Sequence, residues 1–298
     1  MTNMASSLPD TSVRIDPMPS PRILLLRRFL RSPTFVVGLS IVVMLVVLGV
    51  LGVWLSPYDA TAMDLRNRLS PPTAQNWFGT DNFGRDIFTR IAVGSQMSLL
   101  VGLLVVLISG AGGAIIGAMA GYLRSLDNLL MRIMDAFMAF PAMLLAIAIT
   151  AALGPSLFNV VIALAVSYIP RTARIVRGST LIVREQQFIE AAQVAGSSTA
   201  RILRVHILPN CLSALVVQLT FVFAYAVLAE ATLSYLGVGL PPPAPTWGNA
   251  ISSGREYIVE AWWMSLFPGL AITFAVLGFN LLGDGLRDVL DPHLATET

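Results

Sequence analysis

The chain has 298 residues, of which 55% are hydrophobic and only 12% charged, with a mean hydropathy of +0.74. A soluble domain carries about 25% charged residues, so half that fraction cannot cover a water-facing surface, and much of the exterior must meet lipid. The formal net charge of +2 is too small to indicate nucleic acid, and all 19 basic residues are arginine, which excludes a standard P-loop ATPase and any lysine nucleophile.

Residues 1–34 read as a polar, proline-dotted cytoplasmic tail, with Met1 to Ser20 disordered in character and no cleavable signal peptide. The uncharged run from Phe35 to Leu55 has 21 residues, which matches the roughly 20 that cross a bilayer as a helix. A polar, turn-rich periplasmic loop is expected over 56–95, holding Pro71, Pro72, Gly79 and Gly84. The second span is placed at about Ser98 to Tyr122. Its Gly113, Gly117 and Gly121 recur every four residues, a flat stripe that favours close helix packing. Leu129 to Leu153 is expected as a third span ending at the Gly154-Pro155-Ser156 turn, and Leu157 to Val176 as a fourth. A polar stretch from Arg177 to Asn210 follows. Cys211 to Tyr235 is the fifth span, interrupted only by Glu230. A loop stiffened by Pro241, Pro242, Pro243 and Pro245 leads to Trp262 and Trp263, which open the sixth span.

The expected fold is therefore all-α and polytopic, with six transmembrane helices. The membrane domain proper covers 96–284, and a C-terminal tail covers 285–298. With the N-terminus inside, fourteen arginines fall on the cytoplasmic side. Only Arg66, Arg68, Arg85, Arg90 and Arg255 fall outside. This asymmetry satisfies the positive-inside rule and places both termini in the cytoplasm. Trp54, Trp262 and Trp263 are expected together in the outer aromatic belt.

The most informative stretch lies between the fourth and fifth spans, about 184–210. Arg184 to Ala195 reads as a short helix with Phe188, Ala191, Ala192 and Ala195 on its apolar face, stopped by Gly196 and Ser197. Pro209 is expected where the chain turns into the fifth span. A short helix with small outward residues suits a groove on another protein, whereas its alanines and modest charge make a poor lipid anchor.

Glu190-Ala191-Ala192, then Gly196, then Leu208-Pro209 resembles the "EAA" loop of ABC importer permeases. Three further stretches resemble the peptide/nickel branch of that family. They are Phe78-Gly79-Thr80-Asp81 with Gly84-Arg85-Asp86, Leu233 to Gly237 with Trp247-Gly248, and Gly283 to Asp288 with Leu290-Asp291-Pro292. His206 stands where the wider pattern has Ile, but His206-Ile207-Leu208-Pro209-Asn210 is usual in this branch. The likeness runs from about Arg22 to Pro292 and points to the second, "C"-type permease of dipeptide and oligopeptide importers.

This resemblance implies a type I ABC importer permease fold in the bacterial inner membrane, and a subunit that is not itself an enzyme. It implies as partners a second homologous permease, two ATPase subunits and a periplasmic substrate-binding protein, besides the bilayer. ATP and Mg would be held by those partners, with no cofactor in this chain. Glu190, Ala191, Ala192, Gly196, Leu208 and Pro209 would couple the permease to the ATPase. The substrate would be a di- or oligopeptide or related small amide, with nickel chelates and glutathione as alternatives.

Glu230 is the candidate pore-lining group. The other reading is a carboxylate close to the outer interface, facing water or a neighbouring subunit. Arg132 and Asp135 are spaced to pair locally. Arg171, Arg174 and Arg177 suggest inner-face anchoring and ATPase contacts. The sets Asp81, Arg85, Asp86 and Asp284, Arg287, Asp288 suggest ion pairs or caps at helix ends. An independent secondary transporter would need a membrane relay of ionisable groups or inverted repeats. A membrane hydrolase would need a catalytic set that one cysteine and two histidines do not furnish.

Overall fold

The computed structural model describes residues 27–290. Residues 1–26 and 291–298, which hold most of the two expected tails, lie outside the described residues. Within them the chain is all-helical, and the only strand-like feature is an antiparallel bridge between Thr80 and Asp86.

Helix α1 (Pro33–Leu55) starts where Ser32 Oγ accepts from Phe35 N and Pro33 needs no N–H donor. Its apolar residues stay largely exposed, as a lipid-facing helix requires. It touches the rest of the protein through small residues. A Cβ on Gly38 would meet the backbone of Leu282, and one on Gly285 the backbone of Phe35, so α1 and the last helix approach almost backbone to backbone.

Helix α2 (Ile87–Tyr122) has 36 residues, about 54 Å against a hydrocarbon layer of about 30 Å. It begins eleven residues before the expected start at Ser98, because Asp86 caps it by accepting from Thr89 N at 2.8 Å and Thr89 Oγ1 at 2.7 Å. The charge of Arg90, which sequence reading places in the loop, sits inside the helix. It is buried at 4% exposure and donates to the Ala60 carbonyl at 3.3 Å.

The expected third span is not one straight helix. Arg124–Met138 (α3) and Ala142–Leu153 (α4) meet at an 84° bend. Pro141 explains it: the ring disfavours helical backbone at Phe140 and supplies no N–H to bridge the break. The two halves also differ in kind, α3 bearing Arg124, Asp127, Arg132 and Asp135 while α4 is uncharged. Five helices are long and apolar enough to cross a membrane, or six if the bent pair counts as one span.

Helix α5 (Leu157–Val183) carries the glycine stripe's partner surface. A Cβ on Gly113 would lie 2.5 Å from Thr172 Cβ, one on Gly117 2.8 Å from Val176 Cβ, and one on Gly121 2.6 Å from Thr180 Cβ. The stripe is thus a packing face, as its spacing suggests. Helix α6 (Gln187–Val194) follows, then one turn at Thr199–Arg201, a π-helical segment at Ile202–Ile207, and α7 (Leu208–Tyr235). From Thr199 to Tyr235 the helical path is continuous for 37 residues. Pro209 therefore does not turn the chain. The π segment absorbs it, with Leu208 N bonding to Leu203 O, a wider turn that accommodates a missing donor.

The proline-rich loop contains a further helix, α8 (Trp247–Gly254), capped by Thr246. The last helix, α9 (Trp263–Leu290), runs six residues beyond 284, where the expected membrane domain ends. Trp54 is 86% exposed, in keeping with the belt. Trp263 is only 6% exposed and donates from Nε1 to the Thr80 carbonyl at 3.2 Å, so it anchors the outer loop from inside.

Candidate functional site: the α6 surface and its supports

Helix α6 fully buries one side chain. Ile189 is 0% exposed and packs in a cluster with Ala118 of α2, Val176 of α5, Ile202 and Ile207 of the π segment, and Cys211 of α7. Ala192 leans on the same cluster. Phe188, Ala191 and Ala195, expected on the apolar face, are exposed instead, so the buried side of α6 is rotated towards Ile189. The signal was present: Ile189 and Ala192 are three apart, and Ile202 and Ile207 supply matching β-branched residues. Polar ties complete the mounting. Gln193 Nε2 donates to Tyr122 Oη at 3.1 Å, and an Arg184 guanidinium nitrogen donates to the Gly121 carbonyl at 2.7 Å.

The helix ends in a Schellman motif. Gly196 has φ +76°, its N–H reaches Gln193 O, and Ser197 N reaches Ala192 O. The outward face presents Glu190, Ala191, Gln193, Val194 and Gly196, with Val194 90% exposed. Ala192 and Leu208 are half-buried beneath it. Pro209 is exposed, but it lies at the start of α7 beyond the π segment rather than on the α6 face. The arrangement is a small exposed knob on a rigid base, and its acidic group and apolar patch are both exposed.

Two of the three arginines of α5 are engaged by carboxylates of α3. Arg174 pairs with Asp135 at 2.6 Å, and Arg177 holds Asp127 through two bonds of 2.6 and 2.7 Å. These pairs tie α3 to α5, and Asp135 is taken by Arg174 rather than Arg132. The guanidinium of Arg171 lies over the Tyr225 ring at 5.6 Å.

At the opposite end, Asp81 accepts from Phe83 N, Arg85 N and Arg85 Nε at 2.8, 2.9 and 2.6 Å, and Asp86 caps α2. The expected ion-pair and capping role is what this set performs. None of the ion pairs among the described residues includes Asp284, Arg287 or Asp288.

Glu230 does not line a surface. It is 0% exposed and accepts from Ser98 Oγ of α2 at 3.0 Å and from Ser234 Oγ at 2.8 Å. Leu240 N donates in turn to Ser234 Oγ at 3.4 Å, which ties this network to the loop before α8. Glu230 is thus buried inside the subunit and does not face water. It is an internal joint of the subunit.

Comparison with known proteins places these features in context. Residues 113–296 match the family described as binding-protein-dependent transport system inner membrane component. Residues 20–72 match the N-terminal TM domain of oligopeptide transport permease C. The chain is 53% identical over 301 residues to a putative peptide transport system permease protein of Brucella suis biovar 1, covering all of both chains. It is 44% identical over 262 residues to the probable D,D-dipeptide transport system permease protein of Escherichia coli K12, with 88% of each chain covered. It is also 44% identical over 270 residues to a glutathione transport system permease protein of Escherichia coli O6:K15:H31, covering 90% of this chain and 89% of the relative.

Proposed function

Because the chain belongs to the family of binding-protein-dependent transport system inner membrane components, we propose that it forms one half of the membrane path of an ABC importer for short peptides, with the α6 knob as the seat of an ATPase subunit. As a permease of this family it resides in the bacterial inner membrane and works with ATPase and binding-protein partners. It is not an enzyme, and ATP hydrolysis belongs to separate subunits.

The observation that carries the coupling reading is the exposed face of α6 above the buried Ile189. Exposed apolar side chains such as Val194 and Phe188, beside Glu190, form the convex half of a helix-in-groove contact. The finer assembly follows from the same logic. The bent α3–α4 pair leaves Leu129, Ile133, Phe140 and Leu144 exposed, which suits a second, homologous permease across the path. Two ATPase subunits, one per knob, would hold ATP and Mg, and the tails of this chain would lie in the cytoplasm. Short peptides are the favoured cargo because two of the relatives above are named for peptides and dipeptides. Glutathione, a modified tripeptide, remains within the same substrate chemistry.

Reconstituted complex with binding protein, ATP and a labelled dipeptide tests the assignment. Wild-type complex takes up peptide in an ATP-dependent way. Glu190→Lys leaves the subunit inserted but abolishes uptake and binding-protein stimulation of ATP hydrolysis. Full uptake by this variant would remove α6 from the coupling path.

A further inference from the structure

A cleft of about 490 Å³ opens between α5, α7 and α9, and the coupling surface does not use it. Arg171 and Arg287 stand at its polar side with Ser213 and Gln218, while Ile175, Val217, Phe221 and Leu290 give it an apolar wall. Among the described residues neither arginine enters an ion pair, whereas their neighbours Arg174 and Arg177 are both engaged by carboxylates of α3. None of the described residues that line the cleft is a carboxylate. Among the described residues its charge is therefore a pair of guanidinium groups without a carboxylate partner.

Gln218 supplies an independent observation. It is 4% exposed, it lines the cleft, and its Nε2 has no hydrogen-bond partner among the described residues. A buried amide donor without an acceptor is costly and needs an explanation. Gln218 lies about 15 Å along α7 from Leu208, so the open donor sits deep, while Arg287 is close to the end of α9. An anionic oxygen group entering from that end would meet the Arg287 guanidinium first, then the level of Gln218, and farther along α7 that of Arg171, whose guanidinium lies over the Tyr225 ring. Guanidinium matches a carboxylate with paired parallel bonds. The volume falls in the range of small-molecule sites and far exceeds an inorganic ion.

We propose that this cleft is a carboxylate-binding subsite, and that its ligand is the free C-terminal carboxylate of a short peptide whose side chains lie against the apolar wall. The proposal rests on the peptide-importer reading above and assigns this subunit a contact with its cargo on the side of the knob.

The test uses the assembled complex in phosphatidylcholine nanodiscs without ATP. Ser213→Cys provides a reporter at the cleft, and native Cys211 is buried and reacts slowly. Its modification by an anionic methanethiosulfonate reagent runs several-fold faster than by a cationic one. Alanyl-alanine slows modification several-fold, and alanyl-alanine amide does not. Arg171→Gln and Arg287→Gln abolish both effects. Arg171→Lys keeps the reagent preference but weakens the protection, which separates loss of the site from loss of folding. Gln218→Leu weakens protection while leaving the Tm of the complex equal or higher, an outcome that a purely structural glutamine would not give. Equal protection by the amide, no protection by either peptide, or slowing only when phosphatidylglycerol is present would each overturn the proposal. The last result would assign the cleft to a lipid headgroup. ATP-driven uptake measured on the same complex keeps the two readings apart. Uptake without protection overturns the cleft alone, and absence of uptake overturns the importer assignment.

Discussion

At φ +76°, Gly196 occupies backbone space that an L-residue enters at a cost of about 1–2 kcal/mol. No atom lies within 4 Å of a Cβ placed there. Strain and clash are thus separable at this residue. Gly196→Ala is expected to fray the end of α6 and reduce uptake severalfold, whereas Gly196→Pro, locked near φ −65°, abolishes it with normal insertion. Uptake assays paired with quantified membrane levels check both. Glu230 poses a complementary case. Glu230→Leu leaves the Ser98 and Ser234 hydroxyls without their carboxylate and should cost about 1–3 kcal/mol of stability. Its thermal midpoint falls, while the KM for peptide stays unchanged in the surviving fraction. A shifted KM with an unchanged midpoint would support the pore-lining role instead.

Among the elements, the α2–α5 contact is the one that tolerates least. Gly117→Leu drives a side chain into the Ala173 carbonyl and Val176, so the subunit should fail to accumulate in the membrane. Gly178→Ala on α5 is the control. Nothing lies within 4 Å of its Cβ, and replacing a helix-interior glycine should stabilise by about 0.5–1 kcal/mol. Immunoblots of membrane fractions and thermal unfolding distinguish the pair. Much of this level was legible before the structure: uncharged runs locate the spans, and the four-residue glycine period locates the packing face. What hydropathy could not reveal was the bend at Pro141, because a proline between two apolar runs is compatible with a kink or a break. Nor could it show where α2 begins, since Asp86 and Arg90 look like loop residues until Asp81 and Ala60 are seen to satisfy the buried charge. The candidate coupling segment was legible as a motif, and Ile189 with Ala192 as a spaced pair, but the surfaces of α2, α5 and α7 that receive them were not. Ile189 acts through contacts with α2, α5 and α7 that are distant in sequence.

For the molecule as a whole, the arginine asymmetry fixes the expected orientation. A phosphatase or fluorescent reporter fused after Thr298 should read cytoplasmic, and a periplasmic signal would invert the assignment of every loop. The π segment at Ile202–Ile207 also bears on how the subunit moves. The helical path from Thr199 to Tyr235 has 37 residues and measures about 55 Å, well over the thickness of the hydrocarbon layer. The base of the knob rests on one end, through Ile202 and Ile207, and the Glu230 joint grips the other. A rod of that length without a flexible joint carries a push at the knob's end to the Glu230 end as a tilt of the whole helix. Opening one side of the membrane and closing the other would then be a single rigid tilt.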